Sequence, residues 1–114
     1  MTAKRYVPDL GDIVWVHFMP QAGHEQSGRR PAVVLSPKAY NAKAGLMLCV
    51  PVTNQVKGYP FEVPLRGRGA TGVALADQVK SLDWEARHVE RKGRATEQEL
   101  IRIRAMIKSL LSIS

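Results

Sequence analysis

The sequence predicts a single domain that is mainly β, a small barrel of short strands closed by one carboxyl-terminal helix. Two observations carry this prediction. Short apolar runs, rich in β-branched residues, alternate with turn residues over most of the chain. Near the carboxyl end the apolar residues change to a helical spacing. At 114 residues, of which 45% are hydrophobic, the chain (1–114) is long enough to form one core.

The strands are predicted from apolar runs that lie between glycine, proline and polar turn residues. Five runs qualify: 13–18, 31–35, 46–52, 59–65 and 72–76. The polar stretch 19–30 is predicted to be a long loop, and 79–91 completes the sheet without a clear pattern of its own. Ser36 can cap a single helical turn that has Pro37 at its first position.

The final helix is predicted from a capping sequence and one apolar stripe. Thr96 and Glu99 have the spacing of a capping box, in which each side chain binds the backbone of the other residue. The stripe that follows recurs at helical spacing and comprises Leu100, Ile103, Ile107, Leu110 and Leu111. This helix should pack on the sheet or on a second chain.

The net charge points to polyanions as partners. The formal charge is +7, from 17 lysines and arginines against 10 acidic residues. Much of this charge falls between the predicted strands, at Arg29-Arg30, Lys57, Arg66 to Arg68 and Lys80. Basic loops on a β scaffold suit a nucleic-acid groove, although a basic surface alone does not establish one.

Cysteine and histidine usage argues against disulfides and metal sites. Cys49 is the single cysteine, and its apolar neighbours predict a small buried hydrophobe. His17, His24 and His88 are scattered without ligand spacing, so we expect no metal and no other cofactor. No segment is apolar enough for export or membrane insertion, and we therefore expect a cytoplasmic protein without membrane contact.

The order of several segments carries a resemblance to a known family. They are Arg5-Tyr6-Val7-Pro8-Asp9 with Gly11-Asp12, Gly23-His24-Glu25-Gln26, Arg30-Pro31-Ala32-Val33-Val34-Leu35-Ser36-Pro37, Cys49-Val50-Pro51-Val52-Thr53, Lys57-Gly58-Tyr59-Pro60-Phe61-Glu62-Val63 and Gly72 to Ser81. Over nearly its whole length the chain resembles the MazF family of toxin–antitoxin endoribonucleases, metal-independent enzymes that cut RNA within the chain.

The resemblance implies an SH3-like antiparallel barrel with a carboxyl-terminal helix, assembled as a homodimer. It implies three partners or contacts: single-stranded RNA as substrate, a MazE-like antitoxin whose tail occludes the active site, and DNA only indirectly through the antitoxin complex. The implied activity is sequence-specific cleavage of mRNA, which would inhibit translation and growth.

RNA can be cut without a metal when its own 2′-hydroxyl attacks the adjacent phosphorus. This reaction needs a base, an acid and a group that stabilises the charged phosphorane, and it leaves a 2′,3′-cyclic phosphate and a 5′-hydroxyl. Arg30, at the mouth of the second strand, is our candidate for the phosphate clamp because a guanidinium can bind two phosphate oxygens at once.

Two further catalytic candidates rest on the resemblance or on position. The resemblance makes Thr53, at the end of the third strand, the second member of the site. Glu25 is the single acidic residue between Asp12 and Glu62 and could accept the 2′-hydroxyl proton. The alternative assigns the proton transfers to Arg30 and leaves Glu25 to position the RNA or the loop.

The remaining candidates would bind RNA rather than cut it. Lysines contribute salt-dependent affinity, amides read base edges, and Arg29 supplies a general phosphate contact. The predicted set is Arg29, Gln26, His17, Lys57, Gln78 and Lys80. His17 and the doubled arginine depart from many relatives, and both departures lie on the side expected to face RNA, where they would affect the cleavage sequence rather than the chemistry. Tyr59 could stack on a base, but a core role is favoured for it.

Two other functions compete with this interpretation. A CcdB-like gyrase poison would share the fold and the dimer, yet such proteins act through a carboxyl-terminal tryptophan. This chain ends in Leu111-Ser112-Ile113-Ser114, and Trp84 lies far upstream. A non-catalytic RNA-binding module is the second alternative, and an activity assay separates it from an enzyme.

Overall fold

The computed structural model describes residues 5–18, 28–66 and 71–113, which form seven strands and two helices. In chain order they are β1 (Asp12–Phe18), β2 (Gly28–Val34), α1 (Lys38–Ala44), β3 (Leu46–Thr53), β4 (Glu62–Pro64), β5 (Val73–Leu75), β6 (Lys80–Asp83), β7 (Glu90–Arg94) and α2 (Glu97–Leu110). The predicted fold class, a mainly β domain with a carboxyl-terminal helix, is confirmed.

All strand pairs are antiparallel, and the sheet runs in the order β4-β5-β3-β2-β1-β7. The long strand β3 organises this arrangement. It pairs with β2 along one edge, while on the other edge it pairs first with β6 and then with β5. Because β6 and β5 share one edge of β3, the sheet divides there and can curl around a core, as a barrel requires.

The core consists of two clusters, one on each face of the sheet. The first cluster contains Ile13, Val33, Val50 and Val52 together with Ile103 of α2. The second cluster takes the alternate residues of the same strands, among them Val14, Val16, Ala32, Val34 and Cys49, and is completed by Met47, Leu82 and Trp84. Burial on both faces explains why these strands read as nearly continuous apolar runs.

Helix α1 is longer than the single turn expected from the sequence, and its capping differs. Pro37 occupies the N-cap position and no side chain caps the helix. Ser36 instead donates from its hydroxyl to Asn41 Oδ1 at 2.6 Å, and Asn41 is fully buried. The Asn41 amide donates to the carbonyl of Pro8 at 2.7 Å. This buried network joins α1 to the amino-terminal segment.

Several strand boundaries also differ from the expectation. Gly28, Arg29 and Arg30 belong to β2, because β1 continues far enough to pair with them, so that the predicted loop is shorter at this end. The fourth strand is confined to Glu62–Pro64, and the region without a clear pattern supplies both β6 and β7. Short edge strands of this kind lack the long alternation that sequence analysis detects.

Helix α2 begins as predicted. The Thr96 side chain accepts from the backbone N–H of Glu99, and Glu99 accepts from the backbone N–H of Thr96, which confirms the capping box. The predicted apolar stripe is buried only in its first half: Ile103 is inaccessible, whereas Leu110 and Leu111 are exposed. Among the described residues, no helix is long and apolar enough to cross a membrane.

Candidate functional site

Arg30 lies in the outer half of β2, where the strand emerges from the core. It stands opposite Val16 in the β1–β2 ladder and is exposed. Directly opposite residues of an antiparallel pair share a face, so the Arg30 side chain leaves the sheet on the face of the second core cluster. Ala32, buried in that cluster, is two residues further along the same face. A packed strand therefore fixes the base of this side chain.

Thr53 is the last residue of β3 and is half-buried. Its hydroxyl oxygen accepts from the backbone N–H of Gln55 at 3.1 Å, which closes a turn and fixes the side chain. Gly72, with φ +99°, packs against the Thr53 carbonyl: a Cβ there would come within 2.8 Å of Asn54 Oδ1 and closer still to the carbonyl oxygen. The backbone around Thr53 is thus held from both sides.

The register of β2 and β3 relates these two residues. Ala32 pairs with Pro51, Val33 with Val50 and Val34 with Cys49. Arg30 and Thr53 each lie two residues beyond the last pair of this ladder, Ala32 and Pro51, so alternation along both strands directs their side chains to the same face at neighbouring strand ends. A guanidinium and a hydroxyl at adjacent strand ends can bind oxygens of one phosphate group.

Lys80 lies on this same face, further along β3. As the first residue of β6 it pairs with Cys49. Burial raises the pKa of the Cys49 thiol to about 12, while the positive charges of Lys80 and Arg87 act in the opposite direction. Lys80 and Arg87 are therefore close enough to Cys49 to influence it, and this face carries positive charge.

Arg87 is a residue that sequence analysis missed. It lies in the turn between β6 and β7, and its carbonyl accepts from the backbone N–H of His17 at 3.0 Å. The contact joins this turn to β1 beside Arg30's partner Val16. A chain segment without hydrophobic alternation gave no signal for this placement, and only the fold brings the positive charge of Arg87 close enough to Cys49 to act on it.

His17 and Arg29 lie on the opposite face of the sheet from Arg30. They pair with each other in the β1–β2 ladder. The Arg29 guanidinium stacks 4.8 Å from the Trp15 ring and contacts Glu90 at 3.5 Å, and the His17 ring lies 5.9 Å from that of His88. The structure therefore does not bring these two RNA-binding candidates to the Arg30 face.

Lys57 lies in the connection that follows Thr53. Its ammonium nitrogen is 6.0 Å from the ring of Tyr59, which is 60% exposed. The carboxylate of Glu62 accepts from the backbone N–H groups of Lys57 and Gly58, at 3.0 and 2.9 Å, and orders this connection. The preference for Tyr59 in the core is wrong, because the ring projects into solvent where a base could stack.

Gln78 lies exposed in the connection between β5 and β6. Its backbone N–H donates to the Leu75 carbonyl at 3.0 Å and forms a turn that ends two residues before Lys80. The two remaining candidates, Glu25 and Gln26, lie outside the described residues. Across residues 5–18, 28–66 and 71–113, no group of three or more metal-binding side chains is close enough together to hold a metal ion.

A separate apolar groove of about 520 Å³ runs between α2 and the sheet. Its walls include Leu35, Leu48, Val79, Ile107, Leu110 and Ile113. Charged groups of both signs also line it, namely Asp77 and the basic Arg104 and Lys108. The groove is therefore distinct in chemistry from the basic face that carries Arg30.

Comparisons with known proteins give one consistent result. Residues 9–111 match the family described as PemK-like, MazF-like toxins of type II toxin–antitoxin systems. The chain is 59% identical to the endoribonuclease toxin MazF of Escherichia coli K12 over 108 residues, which cover 95% of this chain and 97% of that one. It is 41% identical to the E. coli endoribonuclease toxin ChpB, with 88% and 94% covered.

A solved structure agrees with these sequence relatives. The MazE–MazF crystal structure from Deinococcus radiodurans (Form-II) superposes with a TM-score of 0.90 at 54% identity. The superposition covers 96% of this chain and all of that one.

Proposed function

The chain belongs to the PemK-like, MazF-like toxin family of type II toxin–antitoxin systems and is an endoribonuclease, and from this premise we propose that it cleaves single-stranded mRNA at a phosphate held between Arg30 and Thr53. The register of β2 and β3 is the observation that carries this proposal. The match to this toxin family does not favour a gyrase poison.

Arg30 clamps the scissile phosphate. Its guanidinium presents parallel N–H groups that fit two phosphate oxygens, and it strengthens its hold as negative charge develops on the phosphorane. The strand at its base supports this role, since a clamp stabilises a transition state only where its geometry is set in advance. Lys80 adds positive charge on the same face.

Thr53 binds a non-bridging oxygen of the same phosphate. Its hydroxyl oxygen accepts from Gln55, so the hydroxyl hydrogen remains to be donated to the substrate. Hydrogen bonding from both sides would fix the phosphate for in-line attack by the 2′-hydroxyl.

Proton transfers complete the reaction. Glu25 precedes β2 by a few residues in the sequence and serves as base for the 2′-hydroxyl proton. The 2′-oxygen forms a bond to phosphorus, the bond to the 5′-oxygen breaks, and that oxygen takes up a proton from solvent. The products are a 2′,3′-cyclic phosphate and a 5′-hydroxyl, and DNA is not cut because it lacks the attacking group. The alternative role for Glu25, positioning the RNA while Arg30 moves the protons, predicts the same products.

The RNA strand extends from this phosphate across neighbouring basic and aromatic side chains. Lys57 and Lys80 contact further phosphates, the exposed Tyr59 ring offers a stacking surface, and Gln78 reads a base edge. Gln26 is a second base reader. Arg29 and His17 bind RNA that continues around the edge of the sheet to the face opposite Arg30.

The regulatory partner is an antitoxin, as in the related MazE–MazF structures. We propose that its tail occludes the Arg30 face and that the toxin meets DNA only through the antitoxin complex. The positive charge of the site suits an acidic antitoxin segment that competes with RNA. Because mRNA is the proposed substrate, we also place the protein in the cytoplasm.

The apolar groove beside α2 is proposed to bind a second copy of the chain. An interface with two-fold symmetry must be self-complementary, and this groove combines exposed apolar side chains with both Asp77 and basic groups. Leu111, 63% exposed at its edge, is the side chain to change. Leu111→Asp should produce monomers in sedimentation, whereas a Ser109→Asp control on the same helix should remain dimeric.

An end-group assay tests the proposed function. Purified protein should cut a mixed single-stranded RNA into fragments with cyclic phosphate and 5′-hydroxyl ends, while duplex RNA and the all-DNA sequence remain intact. Replacing only the nucleotide 5′ to a mapped cut by its 2′-deoxy form should abolish that cut. Fragments with 5′-phosphate ends, or continued cutting at the 2′-deoxy position, would contradict attack by the 2′-hydroxyl.

A further inference from the structure

The carboxylate of Glu99 binds two separate parts of the chain. One oxygen accepts from the backbone N–H of Thr96 at 2.8 Å and closes the capping box of α2. The other oxygen accepts from the backbone N–H of Arg66, which lies 33 residues earlier in the sequence. Glu99 is only 6% exposed. A capping box needs one carboxylate oxygen, so the second oxygen is left to hold the chain just after β4.

Arg66 is thereby fixed close to the strands that carry Thr53. The backbone N–H of Leu65 donates to the Gly72 carbonyl at 2.9 Å, which extends the β4–β5 ladder by one step. Gly72 in turn packs against the Thr53 carbonyl. Two backbone contacts, one to α2 and one to the Thr53 side, therefore define where the Arg66 side chain begins.

The direction of the Arg66 side chain follows from the strand registers. Pro64 pairs with Val73, and Val73 pairs with Thr53, so these three residues form one row on one face. Leu65 points to the opposite face, into the core, where it is 4% exposed. Since Leu65 still continues the ladder beyond β4, we infer from the same alternation that Arg66 is directed to the Thr53 face.

The Arg66 guanidinium is within reach of a substrate bound at Thr53. Adjacent strands lie about 4.8 Å apart, so β4 is roughly 10 Å from β3 across β5. An arginine side chain spans most of that distance. Arg66 is exposed, and the ion pairs found across the described ranges involve other arginines: Arg5, Arg29, Arg91 and Arg94.

We propose that Arg66 binds an RNA phosphate that neighbours the scissile one, and that Glu99 is the positioning residue that aims it. This inference rests on the proposed function, because it assigns a second phosphate to the same strand of RNA. Arg66 contributes binding in the ground state and the transition state alike. Its loss therefore raises KM and leaves kcat nearly unchanged.

The test compares the salt dependence of binding. The probe is the 2′-deoxy analogue of an RNA that the wild-type protein cuts, so that binding is measured without cleavage. Each phosphate contact to a single strand contributes about 0.7 to the slope of log K against log salt. Arg66→Gln should reduce the slope by about that amount and raise KM several-fold for the cleavable RNA.

Lys43→Gln is the matched control. Lys43 is an exposed cation of α1, which connects the ends of β2 and β3 remote from Arg30 and Thr53. Lys43→Gln removes the same charge as Arg66→Gln but no predicted RNA contact. Its slope of log K against log salt should therefore equal that of the wild type. An Arg66→Gln slope equal to that of Lys43→Gln, in a protein that cuts RNA normally, overturns the inference. Failure of the wild-type protein to cut RNA overturns the proposed function instead.

Glu99→Gln separates the two tasks of the carboxylate. Thr96 and Arg66 donate to different oxygens of the carboxylate, and glutamine replaces one of these oxygens by an NH2 group that cannot accept, so one of the two bonds is lost. If the capping box is the bond that remains, Glu99→Gln should melt near the wild-type temperature. Its slope of log K against log salt should be reduced as in Arg66→Gln. The double variant Glu99→Gln/Arg66→Gln should have the same slope as Arg66→Gln alone. A wild-type slope in folded Glu99→Gln overturns the positioning role.

Discussion

Arg30 stands directly opposite Val16 in the β1–β2 ladder, whereas its neighbour Arg29 stands opposite His17. Because successive residues of a strand point to opposite faces, two adjacent arginines serve different surfaces. Arg30 leaves the sheet beside a buried core cluster, and Arg29 stacks on Trp15. This division lets one substitution test the proposed phosphate clamp while the other serves as its control.

Arg30→Ala should lower kcat/KM for RNA by at least about 100-fold, since removing one charge-stabilising donor of an active site typically costs that much. Arg30→Lys should also be strongly impaired, because a lysine cannot bind two oxygens in parallel. Cleavage rates under single-turnover conditions measure both effects, and sedimentation verifies that the oligomeric state is that of the wild type. Arg29→Ala should lose only a few-fold. Equal losses at the two arginines would remove the special role of Arg30.

Gly72→Ala should disturb both stability and activity. Its φ of +99° is strained for a residue with a side chain, and the added Cβ meets the Thr53 carbonyl and Asn54. A cost of about 1–3 kcal/mol in the free energy of unfolding is expected, together with reduced kcat because Thr53 shifts. Urea titration and cleavage assays measure the two effects.

Gly45→Ala is the control for that experiment. Gly45 has φ +72° at the end of α1, where an added Cβ meets nothing within 4 Å. Gly45→Ala should lose stability because alanine is strained at this φ, as at Gly72, yet it should retain kcat. If both variants lose stability but neither loses kcat, the contact between Gly72 and Thr53 does not position the site.

Much of the fold could be predicted from local patterns, whereas the full site could not. Apolar runs identified β1, β2 and β3, and Thr96 with Glu99 fixed the start of α2. The second hydrogen bond of Glu99 joins residues 33 positions apart, and no periodic signal encodes such a pair. Long-range contacts depend on how strands register after folding.

The sequence also could not predict which apolar side chains of the surface are exposed. The helical stripe that ends in Leu110 and Leu111 predicted burial, yet both side chains are exposed in the single chain. A sequence records that a residue is apolar but not whether its own domain or a second chain covers it. Arg87 likewise comes near Cys49 only through the β6–β7 turn, a segment without hydrophobic alternation.

The wild-type protein should cut RNA at the same rate with and without excess EDTA. The proposed groups, a guanidinium, a hydroxyl and a carboxylate, supply clamp, hydrogen bond and base without a metal. The assay is cleavage of a labelled single-stranded RNA after chelation and desalting, with a metal-dependent nuclease as a positive control for chelation. Activity that returns only on addition of a divalent ion would show that the reaction needs one.

Cys49 should resist alkylation and disulfide reagents in the folded protein. Burial raises its thiol pKa from 9.0 to about 12, which lowers the thiolate population at pH 8 on the order of a thousandfold. Labelling in guanidinium should be fast. The unfolded chain releases this proton near pH 9 and the folded one near 12, so unfolding becomes more favourable as pH rises through that window. Fast labelling at pH 8 without denaturant would contradict burial.

A double-mutant cycle on Arg30 and Thr53 tests the central claim most directly. Thr53→Val removes the hydroxyl while keeping the branched shape, and single-turnover cleavage is measured for Arg30→Ala, Thr53→Val and the double variant. Two groups that act on one phosphate should be strongly non-additive, so the double variant should be about as slow as the slower single variant. If the two losses simply multiply, Arg30 and Thr53 act independently and the shared phosphate site is wrong.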